Sequence, residues 1–188
     1  FDAISSASAK GIDVIISDHH EPGTVLPDAY AVINPKIHPE YSHLQILAGV
    51  GVAFKLAHGF IKFGRGKSFC RDEYDLREDF DLLALGTVAD MVPLIGENRI
   101  IVRKGLKILS EQLRPGISAL CEFADIGGDV KSNDITFSLS PRVNAAGRLE
   151  NAKLAFDLLV DKNYDSALKC AEAINILNLS RQKTEEDI

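Results

Sequence analysis

The triplet Asp18-His19-His20 stands where a short apolar run, Ile12-Asp13-Val14-Ile15-Ile16, comes to an end. Open α/β sheets place their ligands outside the carboxyl ends of strands, so three adjacent ionisable groups at that point suggest a metal-assisted site. Imidazole and carboxylate together suit Mn, Fe or Zn, whereas Mg tolerates the carboxylate better than the imidazole. Adjacent side chains point in different directions, so one histidine is expected to hold metal while the other faces substrate. The plainer alternative is a polar strand exit whose imidazoles hydrogen-bond the backbone.

Asp90 is the second carboxylate of interest, because it closes the largely apolar segment Leu82-Leu83-Ala84-Leu85-Gly86-Thr87-Val88-Ala89. A helix dipole opposes negative charge at its carboxyl end, and a bound cation would offset that opposition. A solvated aspartate capping the next turn is the alternative. The third segment is Ser140-Pro141-Arg142-Val143-Asn144-Ala145-Ala146-Gly147-Arg148, in which Arg142 and Arg148 flank small residues. Guanidinium forks match phosphate oxygens bidentately, and small residues let a ligand or backbone come close. Pairing of both arginines with the acidic surface would explain them as well. His38, His43 and His58 lack partner carboxylates at ligand spacing and read as surface or core residues, and Lys55 reads as a snorkelling side chain on an apolar helix.

These groups need elements to carry them. Residues 3–10 are small and helix-compatible, and the β-branched run 12–16 reads as a strand buried on both faces. A second run, Ala29 to Ile33, stops at Asn34-Pro35, where proline forbids further ladder pairing. Two passages of helix then strand predict an α/β domain with a parallel sheet. Beyond it the spacing predicts helices over 48–63, 78–89, 98–113, 116–124, 149–160 and 164–187, with Gly86-Thr87-Val88 weakening the end of the second. Arg65 to Arg77 reads as a polar loop, Gly96 and Asn98 as a turn, Gly127-Gly128-Asp129 as another, and Phe137 to Val143 as an extended or irregular stretch broken by Pro141. The last helix loses its apolar stripe from Asn178 onward, as a connector to another domain would.

With 46% hydrophobic and 26% charged residues over 188 positions, the composition is that of an ordinary globular protein, and one domain is the default. No apolar run approaches the roughly 18 residues of a membrane span. The net charge of -6 argues against a general basic surface for nucleic acid, although a wall of carboxylates is what holds catalytic cations. Three widely separated cysteines, Cys70, Cys121 and Cys170, fit neither a disulfide framework nor a zinc site, which favours a reducing cytoplasm. The start, Phe1-Asp2-Ala3-Ile4, lacks both an initiator Met and a basic leader and reads as a cut edge of a longer protein.

Five blocks, taken in order, carry a resemblance: Gly11 to Pro22 (GIDVIISDHHEP), Ala31 to Lys36 (AVINPK), Ala48 to Lys55 (AGVGVAFK), Leu85 to Leu94 (LGTVADMVPL) and Pro141 to Arg148 (PRVNAAGR). Together they resemble the RecJ family of single-strand-specific DNA exonucleases in the DHH phosphoesterase superfamily, across nearly the whole chain. The resemblance implies a two-metal phosphoesterase using Mn or Mg, removing nucleotides from the 5′ end of single-stranded DNA in recombination and repair. It implies His19 and Asp90 as ligands of one metal, His20 facing the scissile phosphate, Asp18 orienting an imidazole, and Asn144 and Arg148 with Arg142 holding phosphate or DNA backbone. The metals in such sites lie about 3.5–4 Å apart. It further implies a partial DHH domain over 1–160, with an α/β part at 1–47 and a mostly helical part at 48–160, followed by a linking helix at 161–188. The family's earlier aspartate motifs are expected upstream of Phe1, so the chain by itself is expected to be inactive. Single-strand-binding protein and a helicase are the implied protein partners. Relatives acting on oligoribonucleotides, cyclic dinucleotides or pyrophosphate, and a non-catalytic DNA-binding replication partner, are the competing readings.

Overall fold

The structure is a computed structural model and describes residues 1–67, 74–149 and 152–186. Helix α1 (Asp2–Ser8) leads to strand β1 (Ile15–Ser17), which pairs in parallel with β2 (Ala31–Ile33), Ile16 lying opposite Val32. Asn34 and Pro35 end β2, and tight 3-10 turns over Pro35–Ile37 and Pro39–Leu44 carry the chain away. The expected parallel α/β arrangement is present, but β1 is not buried on both faces. Helix α2 packs near it on one side, while Ile15 remains 58% exposed. Side-chain burial in a strand depends on what packs over it, which an apolar run alone does not specify.

The remainder is helical: α2 (Gly49–Gly66), α3 (Phe80–Ala89), α4 (Gly96–Glu111), α5 (Pro115–Phe123), the single turn α6 (Ser132–Asp134), α7 (Ser140–Leu149), α8 (Ala152–Val160) and α9 (Tyr164–Glu186). A short connection sets α4 beside α3, and α5, α7 and α8 all pack on α9. Leu109, Ile117, Leu120, Ile135, Leu139, Leu158 and Ile174 are fully buried in one core, each stabilising the fold by about 1.5–3 kcal/mol. A smaller cluster of Leu47, Val52, Leu83 and Ile101, with Ile33 against it, joins the sheet side to α3 and α4.

Several expectations need correction. Part of the polar loop, residues 68–73 with Cys70, lies outside the described residues; its flanks are the end of α2 and a 3-10 turn over Leu76–Asp79. Helix α3 does not weaken at Gly86. That glycine lets α2 pack close, since a side chain there would meet Val50 Cγ1 at 2.9 Å, and Thr87 returns its hydroxyl to the Leu83 carbonyl at 2.6 Å. Gly96 and Asn98 lie within the first turn of α4.

The stretch 137–143 is helical, not extended. A π-turn over Ile135–Leu139 runs directly into α7, with Pro141 in the first turn. Proline has no N–H and crowds the carbonyl four residues back, and the widened turn accommodates both defects. The Arg142 guanidinium donates to the Ser138 carbonyl at 2.8 Å. Finally, Ala167, Ala171 and Ile174 of α9 are fully buried against the helical body.

Candidate metal centre

Strand β1 delivers Asp18-His19-His20 to its carboxyl end, and the Asp18 backbone N–H is anchored on the Ile33 carbonyl of β2 at 3.0 Å. Asp18 folds back on its own loop. One carboxylate oxygen accepts from the His19 backbone N–H at 2.8 Å and the His20 backbone N–H at 3.3 Å, and it meets His20 Nδ1 at 2.7 Å. The His20 side chain, aided by these backbone donors, holds the Asp18 carboxyl below the usual carboxylate value. A neutral His20 ring that donates Nδ1–H to this carboxylate has its lone pair on Nε2, and the ring is 77% exposed. The two imidazoles are tilted by 48° with centroids 4.4 Å apart, so the rings touch rather than pointing to opposite sides.

His19 turns inward. Its ring lies against Gly49, where a side chain would come within 3.2 Å of Cδ2. Glycine at the first residue of α2 therefore gives the imidazole its berth. Nδ1 of His19 stands 3.5 Å from Oδ2 of Asp90, the residue that caps the carboxyl end of α3. After Asp90 the chain leaves through Met91, whose φ of 56° is left-handed and whose side chain is 81% exposed. Residues far apart in sequence thus meet at the end of a parallel sheet, one from a strand exit and one from a helix terminus. Among the described residues no group of three or more His, Cys, Asp or Glu side chains gathers at ligand spacing. The pair is a partial donor set.

The residues of the third motif are placed differently from one another. Arg142 is engaged inside the helical body: Nε donates to Asn175 Oδ1 at 3.1 Å, Nη1 to the Ser138 carbonyl at 2.8 Å and Nη2 to the Phe123 carbonyl at 3.2 Å. Burial lowers its pKa. It ties α7 to α9 and to the end of α5, rather than offering a free fork to phosphate. Asn144 is exposed on α7, a helix that touches α3. The Arg148 side chain lies outside the described residues.

The sequence marks one residue at the site, Asn34, only as the end of a strand. Asn34 is 4% exposed; its amide donates to the His20 carbonyl at 2.9 Å and its oxygen accepts from the Lys36 N–H at 3.0 Å. It fixes the backbone of the triplet from β2. Lys55 pairs with Glu97 at 2.6 Å, and His38 has a carboxylate neighbour after all, Glu40 at 3.4 Å.

Comparison with known proteins finds similar sequences and structures across the chain. The family model described as "DHH family, N-terminal domain" matches residues 1–87, which hold β1, β2, the triplet and most of α3. The single-stranded-DNA-specific exonuclease RecJ of Salmonella typhimurium is 41% identical over 97% of the chain. The RecJ of Bacillus subtilis is 42% identical over 94% of the chain. A crystal structure of RecJ from Thermus thermophilus in complex with Mn2+ matches 99% of it with a TM-score of 0.83 at 31% identity. Another, of RecJ in complex with Mg2+ from the same organism, matches 94% with a TM-score of 0.75. The chain spans a third or less of the curated RecJ relatives, 33% and 21% of the Salmonella and Bacillus proteins. No helix among the described residues is long and apolar enough to cross a membrane.

Proposed function

We propose that the protein is a metal-dependent exonuclease that hydrolyses phosphodiester bonds of single-stranded DNA in the 5′-to-3′ direction, acting in recombination and repair. The observation that carries this reading is the 3.5 Å approach of His19 Nδ1 to Asp90 Oδ2 at the carboxyl end of the sheet, in a chain so similar to RecJ exonucleases. Two donors bound to one ion at about 2.1 Å each stand about 3.0–3.4 Å apart, and the 3.5 Å separation of the pair lies just above that span, a small closure away from sharing a Mn or Mg ion. The donor chemistry, one imidazole and one carboxylate, fits as well. His19 and Asp90 would hold that ion, and the rest of a two-metal ligand set would come from outside these residues. When bound, the metal centre supplies an activated water and neutralises charge in an in-line displacement.

The chain's own groups do the rest. Asp18 steers the His20 ring and keeps its outer nitrogen directed away from the loop; as an imidazolium, with both nitrogens protonated, the ring would donate Nε2–H to a phosphoryl oxygen of the scissile group. Asn144 and Arg148 on α7 hold the phosphate backbone, and Arg142 sets the orientation of α7 from within. Single-strand-binding protein and a helicase are the proposed protein partners, which co-purification with the complete protein would check.

The test of the substrate is degradation by the complete protein of 5′-phosphorylated single-stranded DNA beside duplex DNA, short RNA, cyclic dinucleotide and pyrophosphate. Stepwise release of nucleotides from the single strand is expected. A preference for pyrophosphate or cyclic dinucleotide would overturn the assignment.

A further inference from the structure

The backbone that carries Gly49 and the backbone that leaves Asp90 meet at one buried side chain, Asn98, which touches neither His19 nor Asp90. Asn98 is fully buried in the first turn of α4. Its amide nitrogen donates to the Ile46 carbonyl at 2.7 Å and to the Pro93 carbonyl at 3.0 Å, which uses both of its hydrogens. Ile46 lies three residues before Gly49, the berth of the His19 ring; Pro93 lies three residues after Asp90. The side chain therefore ties together the two segments whose separation sets the gap between His19 and Asp90. Its neighbours along the chain extend the tie, since Leu47 and Ile101 share one buried cluster.

The energetics point the same way. Asn98 Oδ1 is buried and accepts no hydrogen bond. An unsatisfied buried acceptor offsets much of what two neutral hydrogen bonds contribute, so the amide adds little net stability where it sits. What it does supply is direction: two carbonyls from separate segments are drawn to one planar group. Partners that orient metal ligands from behind commonly govern affinity for the ion without touching it.

We infer that Asn98 is a positioning residue for the metal-holding pair, fixing the His19–Asp90 separation by clamping the Ile46 and Pro93 carbonyls. This rests on the reading of His19 and Asp90 as ligands of a shared ion. Two substitutions remove the clamp by different routes. Asn98→Leu keeps bulk and leaves both carbonyls without a donor, and Asn98→Asp keeps shape while replacing the donor by an acceptor. Leu109→Ala, fully buried in the same helix but remote in sequence from the clamp, serves as a control for general loosening of α4.

The experiment titrates Mn2+ into the complete protein by electron paramagnetic resonance, with the thermal midpoint of each metal-free variant measured in parallel. Both Asn98 variants are expected to raise the Mn2+ Kd by about tenfold or more. Leu109→Ala is expected to bind within about twofold of the parent even where its thermal midpoint falls as far. Mn2+ affinity within about twofold of the parent in whichever Asn98 variants fold, or an equal loss in Leu109→Ala, would overturn the inference. A His19→Ala arm separates the two levels: weakened binding there with unchanged binding in the Asn98 variants refutes the clamp alone. Unchanged binding in His19→Ala refutes the ligand assignment and the clamp with it.

Discussion

Asp18 and His20 are held together by a 2.7 Å contact, and that contact divides the labour of the triplet. A carboxylate that spends one oxygen on three donors of its own loop is a support for an imidazole more than a ligand. Asp18→Asn is accordingly expected to lower the rate of single-strand cleavage by about 10–100-fold with Mn2+ binding nearly unchanged. His19→Ala and Asp90→Ala should lose more than about a hundredfold, because on the proposed reading they remove donors to the ion itself. Steady-state cleavage and metal titration on the same variants check both statements, and near-parental activity in either of the latter two would refute their roles. Cys121 offers an independent test far from the site. It is fully buried, and burial pushes its thiol up to about 11. A raised folded value leaves full stability below the ordinary thiol value and removes it as pH climbs toward 11. Denaturation midpoints should therefore decline through that alkaline window in the parent protein, with the decline reduced in Cys121→Ala.

At the level of elements, the site depends on how α3, α5 and α7 are pinned. Arg114, just before α5, reaches Asp81 at the start of α3 through Nε at 2.7 Å and Nη2 at 3.2 Å, and Asp79 through Nη2 at 3.1 Å. Asp81 is 4% exposed, so Arg114→Ala would strand a buried charge and should cost about 3 kcal/mol in chemical denaturation. Asp81→Asn in that background should recover part of the loss. Arg142→Lys removes the planar fork that ties α7 to α9 and α5, and should lower the thermal midpoint, whereas an exposed change at Asn144 should weaken single-strand binding with little effect on stability. Fluorescence anisotropy with labelled oligonucleotide and thermal melts on both variants separate these outcomes.

The elements also explain what could be read in advance. Helices α2, α4 and α5 follow their apolar spacing, and β2 stops at the proline that ends it. The π-turn before α7 was hidden because Pro141 argues locally against helix, and only packing of Ile135 and Leu139 in the core holds the wider turn. The exposure of Ile15 and the clamp at Asn98 were hidden for a shared reason. Both depend on partners remote in sequence, the elements over β1 in one case and Ile46 in the other. The triplet, Asp90 and Asn144 stood out by residue type; Gly49 and Asn34, which seat His19 and His20, did not, because their roles are contacts and not chemistry.

Across the whole molecule, His19 belongs to the small sheet and Asp90 to the helical body, so an ion shared between them would cross-link the two parts. Anything that binds the folded state alone stabilises it, by about 2.7 kcal/mol at a hundred times the dissociation constant. Chelation of the complete protein should therefore lower its thermal midpoint, and His19→Ala should respond less to chelator and to added Mn2+. The net charge of -6 is compatible with the proposed nucleic-acid substrate, because cations held by carboxylates, and not a basic surface, would meet its phosphates. The most direct measurement of the central claim is an anomalous-scattering map of the complete protein crystallised with Mn2+. A peak bonded at about 2.0–2.3 Å to both His19 Nδ1 and Asp90 Oδ2 is the expected result. Mn2+ bound elsewhere, with His19 and Asp90 left joined to each other by a direct hydrogen bond, would contradict it.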